Sequence, residues 1–225
     1  HFLKILSYLL ENKEVGGKKA IDYFVDDNKI SDQMVLADMK LAGTIPTDVV
    51  LFNIDSKSEV NGKQSKVAIV SVLQNVFNEM QGFSGSNPFL ADLERKLTEE
   101  GKYNLFKEKF EDSFGSAWEE SRSDFDFIQD DVVEVLDEIG FMSIEAGRNW
   151  CEKATGEYTY KVEDFARLVK KYLDKKESNH HIVFLIDEIG QYIGDDSKLM
   201  LNLQTVTEDL GTACGGTQIF CYGLK

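Results

Sequence analysis

One run of residues, His181-Ile-Val-Phe-Leu-Ile-Asp187-Glu188, constrains the fold more than any other feature of the chain. The run is apolar, too short for an ordinary helix, and ends in two adjacent carboxylates. A continuous apolar run of this length is typical of a strand buried on both faces of a parallel sheet. Side chains at its carboxyl end would lie where open α/β sheets bind ligands. The alternative is a buried strand whose acids only begin a solvated loop.

The order of the remaining patterns predicts the fold class. Val49–Asp55 is a second apolar run ending in a carboxylate, and 219–222 is a candidate third strand. Helical periodicity precedes, separates and follows these runs, which predicts right-handed crossovers and a parallel α/β sheet with helices on both faces. We expect three segments: part of the sheet in 1–82, an acidic and mostly helical insertion in 83–180, and a further strand and helix in 181–225.

Charge and cysteine content exclude several classes of function. The net charge is −15, and residues 111–140 contain eleven acidic residues and one arginine. Nucleic-acid and anionic-membrane surfaces need clustered Lys and Arg, so we expect neither partner for this chain. Cys151, Cys214 and Cys221 have no metal-ligand spacing, and their odd number argues against a disulfide framework. A reducing cytoplasm is therefore the predicted location.

Several local features have structural interpretations. We expect Gly16-Gly17 to end the first helix, Asp32 or Ser31 to cap a later one, and Trp118 and Trp150 to fill the core of the insertion. A final helix should begin at Asp196 or Ser197 and end at Gly215-Gly216. His180 and His181 lack partners at metal-ligand spacing and are expected to be loop residues before the strand.

A complete P-loop ATPase site also needs a glycine-rich loop that binds phosphate, with the pattern GxxxxGK[ST]. That pattern does not occur in the chain. The chain begins inside a helical pattern that could be the helix following such a loop. We therefore expect a fragment of a longer protein, one that neither binds ATP tightly nor hydrolyses it by itself.

The residues also resemble a known family. Phe184-Leu-Ile-Asp-Glu-Ile-Gly-Gln-Tyr-Ile-Gly194 and Leu201-Asn-Leu-Gln-Thr-Val-Thr-Glu-Asp-Leu-Gly211 are similar to the large P-loop ATPase of BREX bacteriophage-defence systems, the BrxC or PglY type. Phe2-Leu-Lys-Ile-Leu-Ser7, Lys18-Lys-Ala-Ile-Asp22 and Val50-Leu-Phe-Asn-Ile-Asp55 resemble that family's helix after the P-loop and its next strand. The resemblance extends from the start of the chain to about Gly216.

The resemblance implies an AAA-like P-loop fold and assigns roles to two residues. Asp187 would be the Walker B acid, bound to Mg²⁺ directly or through water, and Glu188 would polarise the hydrolytic water. ATP and Mg²⁺ would be the ligands of the intact bacterial protein. Its partners would be other defence-system proteins and further copies of itself. Gln191 and Tyr192 are expected to pack the loop, and the tail 217–225 departs from the family, so no γ-phosphate sensor is assigned.

Two other functions remain open on the sequence. The chain could be a non-catalytic interaction module whose acidic helical insertion docks a basic partner, with Asp187 and Glu188 structural. It could also belong to a regulatory switch NTPase of another family, which would use the same acids. The effect of changing Glu188 distinguishes an ATPase from a scaffold.

Overall fold

The computed structural model describes residues 2–26, 29–58, 68–215 and 218–222. Up to Met80, the described residues form five helices and three strands: α1 (Phe2–Leu10), β1 (Glu14–Val15), β2 (Lys18–Lys19), α2 (Asp22–Val25), α3 (Gln33–Ala42), β3 (Thr47–Asn53), α4 (Ile54–Ser58) and α5 (Ala68–Met80). Only helices follow in the middle: α6 (Pro88–Glu99), α7 (Tyr103–Phe114), α8 (Trp118–Ser121), a 3₁₀ helix (Arg122–Phe127), α9 (Gln129–Glu138), α10 (Ile144–Ala154) and α11 (Val162–Leu173). The last part holds β4 (His181–Asp187), α12 (Ile189–Ile193), α13 (Ser197–Cys214) and β5 (Gln218–Tyr222).

The chain divides into two compact units. The sheet unit comprises His1–Leu73 and Tyr160–Lys225, and the helical unit comprises Gln74–Thr159. The sequence-based boundaries of the insertion were 83 and 180, so they differ from those of the helical unit at both ends. The difference is largest after residue 159, because α11 packs against α13 and thereby belongs to the sheet unit.

The predicted mixed α/β class with a parallel sheet is confirmed. β4 lies between β3 and β5, and both neighbours run parallel to it. All five residues from Ile182 to Ile186 are buried. Because neighbouring side chains of a strand point to opposite faces, both faces of β4 are covered, which explains its continuous apolar sequence. Phe184 packs edge-on against Phe165 of α11, with ring centroids 6.1 Å apart.

The ends of the predicted helices follow local chemistry. The Asp32 side chain caps α3 by accepting hydrogen bonds from the backbone N–H groups of Met34 and Val35. Asp196 caps α13 in the same way, and that helix ends at Gly215 with φ +65°. Each cap supplies an acceptor for N–H groups that have no partner within the helix.

Two local predictions were wrong. Gly16-Gly17 does not end the first helix, because α1 already ends at Leu10; the two glycines form the turn of the β1–β2 hairpin. Both have positive φ, +60° and +78°, as a tight two-residue hairpin turn requires. The second predicted strand ends at Asn53 rather than at Asp55, because Ile54 and Asp55 begin α4.

The core of the helical unit is aromatic and aliphatic, and the prediction that Trp118 lies in it is confirmed. Trp118 is fully buried, with edge contacts to the rings of Phe106 and Phe110. Trp150 is partly buried and packs against the same cluster. Asn87 caps α6, and Pro88 occupies its first turn, where the missing N–H costs nothing. Buried contacts of this kind give the unit a core of its own.

Candidate functional site

Polar side chains from two neighbouring strands meet at the carboxyl edge of the sheet. Asn53, the last residue of β3, is the register partner of Asp187, the last residue of β4. Glu188 follows Asp187 directly, and all three side chains are partly exposed. Since parallel strands end at the same edge, Asn53 and Glu188, which are 135 positions apart in the chain, lie within hydrogen-bonding distance. This edge is where open α/β sheets bind their ligands.

Asn53 and Glu188 are joined by a direct hydrogen bond. The Nδ2 group of Asn53 donates to Oε2 of Glu188 at 2.6 Å. The Oδ1 atom of Asn53 accepts from the backbone N–H of Ser56 at 3.2 Å, which orients the amide with its NH₂ group toward the carboxylate. The Glu188 carboxylate is therefore held in one place at the edge of the sheet.

Glu188 also has an unusual backbone. Its φ is +63° and its ψ is +14°, the left-handed region that residues other than glycine seldom occupy. Such a conformation costs on the order of 1–3 kcal/mol and persists only where the surroundings enforce it. It turns the chain abruptly from β4 into α12 and leaves the Glu188 side chain at the edge. A strained residue at the end of a central strand is a common feature of functional sites.

Buried isoleucines anchor both sides of this arrangement. Ile54 follows Asn53 and is 1% exposed, and Ile189 follows Glu188 and is also 1% exposed. The short helices that these residues begin, α4 and α12, pack against each other at the same edge. Asn53 and Glu188 are thus each held in position by a buried isoleucine that follows them, and moving either isoleucine out of the core would lose its burial.

The Asp187 carboxylate suits a divalent cation. Its Oδ1 atom accepts a hydrogen bond from the backbone N–H of Glu188 at 3.1 Å. Mg²⁺ is usually held by one or two carboxylates together with water and substrate phosphates, rather than by a complete protein cage. Within the described part of the chain, no cluster of three or more His, Cys, Asp or Glu side chains could hold a metal ion. Asp187 therefore offers one carboxylate of the kind that Mg²⁺ uses together with water and phosphate.

The other residues considered in the sequence analysis lie outside the cluster of Asn53, Asp187 and Glu188. Asp55 is the second residue of α4, two residues beyond the end of β3. Gln191 is exposed, contrary to the expectation that it packs the loop, and Tyr192 is half-buried. Residues 217 and 223–225 of the tail lie outside the described residues. Asn53 was missed by the sequence reasoning, because the second apolar run was extended two residues too far.

A second polar cluster lies at the opposite, amino edge of the sheet. Asp48 accepts hydrogen bonds from the Tyr172 hydroxyl and from Nε2 of His180, the latter at 2.7 Å, and Lys176 lies 3.4 Å away. Burial alone would raise the pKa of Asp48, but these hydrogen bonds and positive charges lower it overall. His180 is thus a loop residue, as predicted, with a structural partner, whereas His181 is not a loop residue but the first residue of β4.

A cavity of about 310 Å³ adjoins this amino edge. Its lining mixes both signs of charge: Lys170, Leu173, Asp174, Lys176, Glu177, Ser178, His180 and Cys214. Lys170 pairs with Asp174, and Lys176 with Asp48, so these cations are already neutralised within the protein. Because ligands of parallel sheets bind at the carboxyl edge, we place the candidate site at Asn53, Asp187 and Glu188 instead.

Comparison with known proteins gives no independent assignment. No protein-family model matches the chain, and no solved structure matches it significantly. Among the helices in the described ranges, none has the length and apolar content needed to cross a bilayer. The chemistry of the site must therefore be argued from its own residues.

Proposed function

We propose that Asp187 and Glu188 form the acidic half of a Mg²⁺–ATP site in a bacterial phage-defence ATPase of the BREX type. The phosphate-binding loop would be supplied by sequence outside residues 1–225. By this proposal the intact protein uses ATP and Mg²⁺, assembles with other defence-system proteins and with itself, and works in the cytoplasm. Residues 1–225 alone would bind ATP weakly, because they lack the loop that supplies most of the affinity for triphosphate.

The position of Glu188 is the observation that carries the proposal. Hydrolysis of ATP needs a group that orients the attacking water and a cation that neutralises charge on the phosphates. Asp187 and Glu188 stand next to each other at the carboxyl edge of a strand buried on both faces. Glu188 is held there by Asn53 at 2.6 Å and by a strained backbone. Strained backbone conformations cluster at functional sites, which supports a role for Glu188 beyond that of a loop residue.

Each residue then has a distinct task. Asp187 would hold Mg²⁺, and that ion would offset the negative charge of the phosphates. Glu188 would accept a hydrogen bond from the water and aim its oxygen at the terminal phosphate. Asn53 would act as a positioning residue, because it touches Glu188 rather than the reacting atoms. Its amide fixes one carboxylate oxygen of Glu188, Oε2.

The experiment is ATP turnover and ATP binding by the intact protein, wild type against Glu188→Gln. Groups that transfer or orient a proton contribute typically 10²–10⁴-fold to a rate. We therefore expect turnover to fall by roughly 10²-fold or more, while the Kd for Mg²⁺–ATP stays within about threefold of wild type. Asn53→Ala should lower turnover less than Glu188→Gln does, also with little change in Kd.

Asp195→Asn is the matched control. Asp195 is an exposed acid in the loop after α12, and its change to Asn removes the same charge a few residues from the site. We expect its turnover to equal that of the wild type. Wild-type turnover in Glu188→Gln would refute the proposal and leave Asp187 and Glu188 with a structural role. Tight binding of Mg²⁺–ATP by residues 1–225 alone would refute the assignment of the phosphate loop to another segment.

A further inference from the structure

The most exposed large apolar side chain in the described part of the helical unit is Phe127, whose exposed fraction is 89%. Phe127 ends the 3₁₀ helix Arg122–Phe127. Its neighbours Phe125 and Ile128 are 3% and 4% exposed and belong to the core of the unit. Phe125 packs edge-on against Trp150, with ring centroids 5.6 Å apart. Because the residues on both sides are anchored inward, the Phe127 ring is presented to solvent on an ordered backbone.

Acidic side chains surround this ring in the sequence. Asp124, Asp126 and Asp130 are exposed, and Asp131 is partly exposed. Within the described residues none of the four forms an ion pair. Residues 123–147 contain no Lys or Arg at all. Four carboxylates without a counter-charge therefore flank one exposed aromatic ring.

The cation closest to this segment in the sequence does not pair with its carboxylates. Arg122 precedes the segment, but its guanidinium is directed to the interior, where NH1 lies 2.7 Å from Oε1 of the buried Glu94. The same NH1 group donates to the backbone carbonyl of Gly82 at 3.1 Å. Arg122 therefore pairs with Glu94 rather than with the four carboxylates of this segment.

We propose that Phe127 and its flanking carboxylates, Asp124, Asp126, Asp130 and Asp131, form a docking surface for an arginine-containing basic segment of a partner protein. A guanidinium stacks on an aromatic face and donates to carboxylates in the same plane, which an ammonium does less well. This surface does not depend on the nucleotide proposal, since no residue is shared.

Charge complementarity favours an arginine-containing segment over nucleic acid, anionic lipid or a second copy of the unit. The helical unit contains twenty acidic and eight basic residues, a net charge of −12. Nucleic acids and anionic lipids would be repelled by it, and so would a second copy of the same unit. A polypeptide rich in arginine is attracted, and its approach is steered by the field of the whole unit.

The test measures the binding of two fluorescent peptides by anisotropy at about 0.15 M salt, a concentration that screens distant charges. One peptide alternates Gly and Arg, and the other alternates Gly and Lys at the same length. We expect the Arg peptide to bind more tightly to the wild type. Phe127→Ala should weaken binding of the Arg peptide by about two- to fivefold, the effect of one cation–π contact at an exposed site. Phe127→Leu, which keeps apolar area but loses the aromatic face, should weaken it equally.

Two matched double variants distinguish binding at the Phe127 surface from general electrostatic attraction of the peptide to the acidic unit. Asp124→Asn with Asp126→Asn, and Glu111→Gln with Asp112→Asn on α7, each remove two exposed carboxylates. The first pair should weaken binding of the Arg peptide at least twice as much as the second. Equal losses from both pairs, wild-type affinity in Phe127→Ala or Phe127→Leu, or equal binding of the Lys peptide would each overturn the proposal. Thermal unfolding followed by circular dichroism should be unchanged in Phe127→Ala, because the ring is outside the core.

Discussion

Replacement of the buried Glu94 tests how the helical unit is held together. The Glu94 side chain is fully buried and accepts four hydrogen bonds. Its Oε2 atom accepts from the backbone N–H of Ser84 at 2.5 Å. Its Oε1 atom accepts from the Tyr103 hydroxyl at 3.0 Å, and from Trp118 Nε1 and Arg122 NH1 at 2.7 Å each. One carboxylate thus connects the loop before α6 with α7, α8 and the 3₁₀ helix.

Glu94→Gln keeps the shape of the side chain but removes the negative charge and one acceptor. If the amide oxygen takes the place of Oε1, its NH₂ group faces the N–H of Ser84, and two donors oppose each other. Breaking a buried charged pair from one side costs about 3–5 kcal/mol. Arg122 is 20% exposed and also donates to Gly82, so water and that carbonyl recover part of its solvation. We therefore expect a loss of about 3 kcal/mol in the free energy of unfolding.

The tryptophans provide the assay, since both Trp118 and Trp150 lie in the helical unit and the chain has two in all. Intrinsic fluorescence during urea titration therefore reports the unfolding of that unit. With an m-value of about 1–3 kcal/mol/M, a loss of about 3 kcal/mol lowers the urea midpoint by roughly 1–3 M. The m-value itself should not change if the native unit keeps its structure.

Glu119→Gln is the control for the loss of one carboxylate in the same unit. Glu119 pairs with Lys107 at 3.1 Å, and the Lys107 and Glu119 side chains are 33% and 45% exposed. Pairs of this kind contribute less than about 1 kcal/mol. A midpoint shift in Glu94→Gln no larger than that in Glu119→Gln would refute the view that Glu94 is the centre of the unit.

Two further predictions concern acid stability and helix packing. Because the folded-state pKa of Asp48 is lowered, its stabilising effect is complete above the ordinary value of 3.8 and disappears as pH falls through the lower folded value. Asp48→Asn should therefore be less stable than wild type at pH 7, and the difference should shrink below about pH 4, as measured by urea titration; a constant difference would contradict this. Gly147→Ala should lower thermal stability despite the roughly 1 kcal/mol gain in helix propensity, because the added Cβ would lie 3.0 Å from Cγ1 of Val133. A rise in Tm would contradict this prediction, because it would show that Val133 and α9 can shift to accommodate the added Cβ without loss of stability.

The sequence alone was sufficient to predict the features that depend on residues close together in the chain. The apolar run Ile182–Ile186 is a strand because five consecutive apolar residues can be buried only between two covered faces. Asp196 and Gly215 mark the ends of α13, because a capping side chain and a left-handed glycine act within one turn. Asp187 and Glu188 were placed at the strand end for the same local reason.

Contacts between distant parts of the chain were decided by the tertiary structure. The bond from Asn53 to Glu188 joins residues 135 positions apart, and it exists only because two parallel strands end in register. The left-handed backbone of Glu188 has no signature in its residue type, since glutamate does not favour positive φ. Packing also decided that Phe125 enters the core while Phe127 stays exposed. It likewise decided that Arg122 pairs with Glu94. Local chemistry selects helices, strands and caps, but the partner of a polar side chain is set by which elements the core brings together.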